Sequence, residues 1–179
     1  MGSEMCIRDS IGAVLDEVGL PEYMTARQIG RMMAGIFARW QPEVYRDYLR
    51  RLALPEDKTF RDFSRGMKMK LGLAAALSHQ PKLLLLDEAT SGLDPVSRDE
   101  LTELLRRVVA DGTRSVLFST HITSDLEKCA THIAFIKDGE LQYTGSLDDF
   151  RTHYKDVGAT LENIIVHVER RPLDEDAII

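Results

Sequence analysis

The sequence predicts an α/β protein in which a mostly parallel sheet is flanked by helices. Four consecutive leucines at 83–86 are bounded by polar residues, which is typical of a strand covered on both faces. Two further short apolar runs, 11–15 and 115–119, also read as strands. The region 22–81 contains no convincing strand, so we expect a helical subdomain beside the sheet.

Local signals define the elements of the first half of the chain. Thr25 can cap a helix whose apolar residues recur at helical spacing up to Phe37. A second helix is expected after Pro42, and a third from about Lys68 to Ser78. The region 22–81 is therefore predicted to form a helical layer.

The second half is defined by stronger turn and cap signals. Pro95 suits the first turn of a helix that should end near Ala110. A short helix should follow the 115–119 strand, and Asp138-Gly139 predicts a hairpin between 133–137 and 140–143. Ser146 can cap a small helix, and one more helix could begin near Thr160.

Composition limits the possible partners and compartment. The 179 residues are 44% hydrophobic and carry a net charge of -6, which disfavours a broad nucleic-acid or anionic-membrane contact. No apolar run approaches the length of a membrane span. The two cysteines, Cys6 and Cys129, show no CxxC spacing, so a reducing cytoplasm is expected.

The leucine strand ends in two adjacent acids, Asp87 and Glu88. Open α/β sheets place their ligands at this end of a strand. One carboxylate there can hold Mg²⁺ through its water shell, and another can align or deprotonate a water that attacks a phosphoryl group. We assign the first task to Asp87 and the second to Glu88. Taken alone, the pair is about as well explained by the start of a helix.

The motifs around these acids resemble the ATP-binding cassette, the nucleotide-binding subunit of ABC transporters. The resemblance covers Ile11 to about Gly145, and it depends most on FSRGMKMKLGLAAAL, then LLLLDEATSGLDP about twenty residues later, then FSTH. It implies a partial P-loop NTPase fold, with ATP and Mg²⁺ as cofactors. It also implies an ATPase that works as a dimer.

The resemblance assigns a cofactor-binding role to the signature residues Ser64, Arg65 and Gly66. A serine hydroxyl and free N–H groups at a helix N-terminus suit the γ-phosphate held by an opposite subunit. Considered alone, Ser64 is about twice as well explained as a helix cap. Asp94 corresponds to the D-loop, which contacts its counterpart across the dimer, although it could also be only the cap of the helix begun by Pro95.

Two further residues take roles from the resemblance. His121 corresponds to the switch histidine, which contacts the γ-phosphate and helps to orient the water. Asp16 stands where the family has its Q-loop glutamine, which senses Mg²⁺ and relays closure to the membrane subunit. Because this position is an acid here, Glu17 could share the role.

The resemblance also gives a division of the chain. We expect a non-native or artefactual leader at 1–10, the Q-loop strand and loop at 11–21, and the helical signature subdomain at 22–81. The C-terminal part of the ATPase core should occupy 82–154, and a tail should occupy 155–179.

Two departures from the family pattern are informative. The Ser-Arg-Gly-Met form of the signature resembles cassettes that serve bacterial exporters of drugs, peptides or lipids. The sequence holds no Gly-x-x-x-x-Gly-Lys-Ser/Thr, and no lysine directly follows a glycine. We therefore expect a cassette truncated at its N-terminus that cannot hold ATP with normal affinity. The strand missing from its sheet should lie beside the leucine strand and leave apolar surface exposed.

The leading functional hypothesis is an ABC-transporter ATPase subunit that couples hydrolysis to transport, in the export direction. Its partners would be a second copy of the cassette and an integral membrane permease, with no nucleic acid. It would lie on the cytoplasmic face of the cell membrane, held by the permease. A soluble ABC-type factor and a non-catalytic interaction remnant remain as alternatives.

Overall fold

The computed structural model of the chain describes residues 7, 9–158 and 160–169. Backbone contacts divide the chain into two compact units, with the boundary between His121 and Ile122. The domain limits predicted from the sequence stay a prediction. Most of the predicted leader, residues 1–6 and 8, lies outside the described residues, as do the last ten residues of the predicted tail.

The first unit contains a parallel sheet, as predicted. Its strands are β1 (Ile11–Val14), β2 (Leu83–Asp87) and β3 (Ser115–Ser119), in the order β1-β2-β3. Leu86 lies opposite Val14 on one side and Phe118 on the other. Because all three strands run in the same direction, their carboxyl ends meet at one edge of the sheet.

One expectation about this sheet is wrong. The leucine strand has no free side for a missing neighbour, because β1 and β3 pair with its two edges. Within this sheet, the strands with an unpaired edge among the described residues are β1 and β3. Exposed apolar surface does occur, but it lies on β3, where the side chain of Leu117 is 63% exposed.

Four helices and one short turn of 3₁₀ helix complete the part of the first unit that the structure describes. Thr25 and Gln28 form a capping box, in which the Thr25 side chain accepts from the Gln28 amide and the Gln28 side chain accepts from the Thr25 amide. The helices begin close to the predicted positions. They are α1 (Ala26–Ile36), α2 (Pro42–Arg51), α3 (Arg65–Leu77) and α4 (Pro95–Val109), with the 3₁₀ turn at Phe60–Asp62.

Helix α3 is buried on two sides and joins the two hydrophobic clusters of the first unit. Met69, Leu73 and Leu77 pack with the sheet and with α4. Leu71 and Ala74 pack with α1 and α2. The helical layer is thus attached to the sheet through α3, and the position of its first residues is set by both clusters.

His79 follows α3 and is almost fully buried. Its ring stacks on Phe37 with centroids 4.1 Å apart, and its Nε2 lies 3.1 Å from the carbonyl oxygen of Ile11 on β1. Burial lowers the pKa of the imidazole below its usual value. This residue is a packed core histidine that connects the helical layer to the sheet.

The second unit is a hairpin packed against helices. Its elements are α5 (Thr123–Cys129), β4 (His132–Lys137), β5 (Glu140–Ser146), α6 (Leu147–His153) and α7 (Leu161–Glu169). The hairpin turn is the predicted one, with φ of 50° at Asp138 and 80° at Gly139. Ile133, Phe150 and Leu161 contribute to its own hydrophobic cluster. No helix among the described residues is long and apolar enough to cross a membrane.

The close crossing of α1 and α2 gives a stability test. A Cβ added at Gly30 would lie 2.5 Å from Cε1 of Tyr45, whose hydroxyl is fixed by donation to the Ala26 carbonyl at 2.8 Å. We expect Gly30→Ala to lower the free energy of unfolding by about 1–3 kcal/mol. Gly35→Ala, on the same helix with no atom within 4 Å, should instead raise it by up to about 1 kcal/mol. Urea denaturation of both variants checks this, and shifts in the same direction would contradict it.

Candidate functional site

The sequence-predicted acids and the imidazole follow the carboxyl ends of the three parallel strands. Asp16 comes two residues after β1, Glu88 directly after β2, and His121 two residues after β3. Parallel pairing of the strands brings these three positions to the same edge of the sheet. The structure therefore joins residues that lie up to about a hundred positions apart in the sequence.

Ser119 connects the ends of β2 and β3. It lies opposite Asp87 in the strand register, and its hydroxyl donates to Oδ1 of Asp87 at 2.6 Å. The amide of Glu88 donates to the carbonyl oxygen of Ser119 at 3.0 Å. Sequence reasoning assigned no role to Ser119, although its position at the end of a parallel strand was the available signal. Its contacts fix both acids relative to β3.

Glu88 and His121 meet at this edge. Nδ1 of His121 lies 2.8 Å from Oε2 of Glu88, an ion pair when the imidazole is protonated. Oε2 is shielded from solvent and makes no well-aligned hydrogen bond with the described residues, so the contact is mainly electrostatic. The imidazole itself remains largely exposed. Oε1 is then the carboxylate oxygen of Glu88 that is left for a water molecule.

The backbone of Glu88 is strained. Its φ is +49°, in the left-handed region that residues with a Cβ rarely adopt. This conformation turns the chain sharply after β2, between Asp87 and the turn that contains Gly92. Strained backbone of this kind is found disproportionately at functional sites. Here it places the second acid beside His121.

The residues of this edge fit a hydrated Mg²⁺ ion. Asp87 is exposed, and its Oδ1 accepts from Ser119. The described residues contain no group of three or more His, Cys, Asp or Glu side chains that could hold a metal by themselves. Mg²⁺ commonly keeps most of its waters and uses one or two carboxylates together with phosphate oxygens. One oriented carboxylate is thus the expected protein contribution.

A second group of predicted residues surrounds the first turn of α3. The Ser64 hydroxyl accepts from the Met67 amide at 3.3 Å, so Ser64 is a helix cap, and α3 begins at Arg65 rather than near Lys68. The guanidinium of Arg65 forms an ion pair with Asp16. These contacts bring the residue at the predicted Q-loop position to the predicted signature.

The first turns of α3 and α4 are in contact. A Cβ added at Gly66 would lie 2.9 Å from Oγ of Ser97. Asp94 caps α4 by accepting from the amides of Val96 and Ser97 at 3.1 and 3.0 Å. Hydrogen bonds from Ser97, then from Val96, hold the pKa of the Asp94 carboxyl below its usual value. Asp94 is therefore a helix cap, and its contact across a dimer stays a prediction.

The predicted site residues thus fall into two groups within one chain. The first group, which we call the edge group, contains Asp87, Glu88, Ser119 and His121. The second, the signature group, consists of the residues around the tips of α3 and α4: Asp16, Ser64, Arg65, Gly66 and Asp94. No hydrogen bond or ion pair found among the described residues joins Ser64 or Gly66 to Glu88 or His121.

Comparisons with known proteins point to one class. Residues 29–124 match a family model described as "AAA domain, putative AbiEii toxin, Type IV TA system". An uncharacterized ABC transporter ATP-binding protein of Nostoc sp. is 34% identical over 80% of this chain and 44% of that protein. The bacitracin transport ATP-binding protein BcrA of Bacillus licheniformis is 33% identical over 73% of this chain and 44% of that protein. The chain spans about half the length of the curated relatives it matches.

The fold comparison agrees with the sequence comparison. A solved structure titled "Structure of ATP binding subunit of ABC transporter" superposes with a TM-score of 0.80. It is 27% identical, and the match covers 94% of this chain and 72% of that chain. The P-loop NTPase fold predicted from the sequence is confirmed by this likeness together with the observed parallel sheet.

The strain at Glu88 can be measured apart from its charge. Glu88→Gly removes the left-handed penalty, and we expect it to raise the free energy of unfolding by about 0.5–1 kcal/mol, net of the lost contact with His121. Glu88→Gln keeps the backbone conformation and the side-chain size, and it should change stability by less than about 0.5 kcal/mol. Urea denaturation at fixed pH compares them. If Glu88→Gly is the less stable of the two, the backbone at this position is not strained.

Proposed function

We propose that this chain, which belongs to the AAA-domain family and is similar to the ATP-binding subunits of ABC transporters, supplies hydrolytic and signature residues of an ATP-hydrolysing transporter subunit. The observation that carries the proposal is the edge group. It joins a magnesium-type carboxylate, a second carboxylate and an imidazole at the carboxyl ends of parallel strands. That combination suits phosphoryl transfer to water.

Asp87 and Ser119 form the cation side of the proposed site. The Ser119 hydroxyl orients the Asp87 carboxylate, and the exposed carboxylate would hold Mg²⁺ through a water molecule. When bound with ATP, the ion offsets negative charge on the phosphate oxygens. The protein's own contribution on this side is one carboxylate in a fixed orientation.

Glu88 and His121 form the water side. Glu88 would position the attacking water through Oε1 and accept its proton there, as the new P–O bond forms and the bond from the terminal phosphorus to the bridging oxygen breaks, releasing ADP. The imidazole beside Oε2 holds the carboxylate in place and offers its exposed face to the terminal phosphate. The left-handed backbone of Glu88 supports this proposal, because backbone strain of this kind is found disproportionately at functional sites.

Two copies of the chain would complete each site. Within one chain, no hydrogen bond or ion pair found among the described residues joins the signature group to the edge group. An antiparallel pair of subunits would bring the Ser64 tip of one copy against a nucleotide on the edge group of the other. The free N–H groups of the first turn of α3 suit a phosphate.

The catalytic role of Glu88 is tested in a chimera in which residues 11–145 replace the matching segment of the Bacillus licheniformis relative. We expect this chimera to hydrolyse ATP, and Glu88→Gln to slow hydrolysis by a factor of about 10²–10⁴ while ATP binding is kept. Phosphate release and calorimetry measure the two quantities. Asp111→Asn, at an exposed acid that accepts hydrogen bonds from the nearby Thr113, is the matched control and should hydrolyse normally.

An equal rate in the Glu88→Gln and Asp111→Asn chimeras would exclude Glu88 as the base. A parent chimera that binds ATP and never hydrolyses it would favour the non-catalytic alternative.

Coupling to a membrane permease is the second part of the proposal. A groove is lined by residues of α1 and α2 and by Trp40, and three arginines contribute to its lining, Arg27, Arg31 and Arg46. Arg27 is paired with Glu56 and Asp57. Within the described part of the chain, Arg31 and Arg46 have no acidic partner. An acidic cytoplasmic segment of a permease fits this groove, together with the loop at 18–23.

Export is the transport direction that we propose. One is named for bacitracin transport and another for lantibiotic transport. With the Ser-Arg-Gly-Met signature, these names support export of a peptide, drug or lipid. In that arrangement the subunit lies on the cytoplasmic face of the membrane, bound to the permease.

The docking groove is tested by affinity capture from detergent-solubilised membranes of the source organism, with identification by mass spectrometry. Wild-type chain should retain a membrane protein with several spans, and the double variant Arg31→Glu/Arg46→Glu should lose it because charge complementarity is reversed. Arg106→Glu/Arg107→Glu on α4 changes the net charge equally and should keep it. Equal retention by both double variants would show that the groove is not the dock.

A further inference from the structure

Arg65 contacts two loops besides its own helix. It is the first residue of α3, and its guanidinium is paired with Asp16 in the loop after β1. Its side chain also lies against Gly92 in the turn after β2, where an added Cβ would be 3.1 Å from Nε and 3.2 Å from Cζ. The Arg65 side chain thus connects three segments: the first turn of α3, the loop after β1 and the turn after β2.

The contact with Gly92 is closely fitted. Gly92 has a φ of +67°, and its missing side chain leaves the space that the guanidinium occupies. Gly112 has nearly the same φ, +68°, but an added Cβ there would meet no atom within 4 Å. The two glycines therefore share a backbone conformation and differ in the neighbour, which gives a matched pair for experiment.

The ion pair with Asp16 is suited to positioning rather than to stability. Both side chains are about half exposed, at 50% and 49%. Exposed pairs of this kind contribute little to folding, and salt weakens them. A planar guanidinium nevertheless fixes direction, because its donors lie in one plane and match a carboxylate. The same guanidinium lies beside Gly92.

We propose that Arg65 is a positioning residue that holds Asp16 and the Gly92 turn against the tip of α3, so that the three segments move as one body. The role of this coupling in an ATPase rests on the proposed function. In that function, Arg65 would make Asp16, at the Q-loop position, and the Gly92 turn, in the D-loop, move together with the signature at the tip of α3. The physical coupling itself requires no nucleotide.

The test is amide hydrogen exchange of the full chain, followed by NMR at Ser91 and Leu93. These amides donate within the Gly92 turn, to the carbonyls of Glu88 at 3.0 Å and Thr90 at 3.2 Å. Asp16→Asn should speed their exchange by about two- to fivefold, although Asp16 lies in another loop. In an Arg65→Ala background, Asp16→Asn should have no further effect.

Rescue and controls separate positioning from a general loss of structure. The reversed pair Asp16→Arg/Arg65→Asp should recover part of the protection, and 1 M salt should weaken the coupling in the wild type. Asp57→Asn removes another exposed partner of an arginine, that of Arg27, and should leave Ser91 and Leu93 unchanged.

The glycine pair tests the other contact. Gly92→Ala displaces the guanidinium and should speed exchange at Met67 and Lys68, the first bonded amides of α3. Gly112→Ala imposes the same backbone strain and should not change these two amides. The proposal is overturned if Asp16→Asn affects only its own loop, or if both alanine variants act equally on α3. Because no nucleotide is present, such a failure would leave the ATPase proposal standing.

Discussion

The register between β2 and β3 is the constraint on which the candidate site depends. Asp87 lies opposite Ser119, so the serine hydroxyl reaches one acid while its carbonyl accepts from the amide of the next. A shift of one residue would turn these side chains to the other face of the sheet. The same register carries His121, two residues further on, to Glu88. The chemistry is thus held by backbone pairing more than by the side chains themselves.

Helix α3 imposes the second constraint. Its two buried faces bind the helical layer to the sheet, so its first turn cannot move without disturbing two hydrophobic clusters. Ser64, Arg65 and Gly66 stand at that first turn, and Asp94 caps the neighbouring helix beside it. The left-handed backbone at Glu88 and at Gly92 occurs in the connection between the two groups. The positions of the signature group are therefore set by the packing of α3 and α4.

Sequence patterns predicted the features that depend on near neighbours. The Asp138-Gly139 turn, the Thr25 cap and the leucine strand each follow from a few adjacent residues, and the structure confirms them. The parallel sheet was also predictable from its apolar runs. The contacts of Ser119 and the pairing of Arg65 with Asp16 were not predicted, because they join residues 32 and 49 positions apart. The expectation of a free edge on the leucine strand was wrong for the same reason, since strand order is set by the whole fold.

The central claim is that the edge group receives a nucleotide-bound cation. Its most direct test is a crystal of the Glu88→Gln chimera with Mn²⁺ and ATP, measured at the manganese absorption edge. The account predicts an anomalous peak one water molecule away from the Asp87 carboxylate, with the terminal phosphate between that peak and His121. A manganese peak beside the nucleotide but remote from Asp87 and His121 would contradict it.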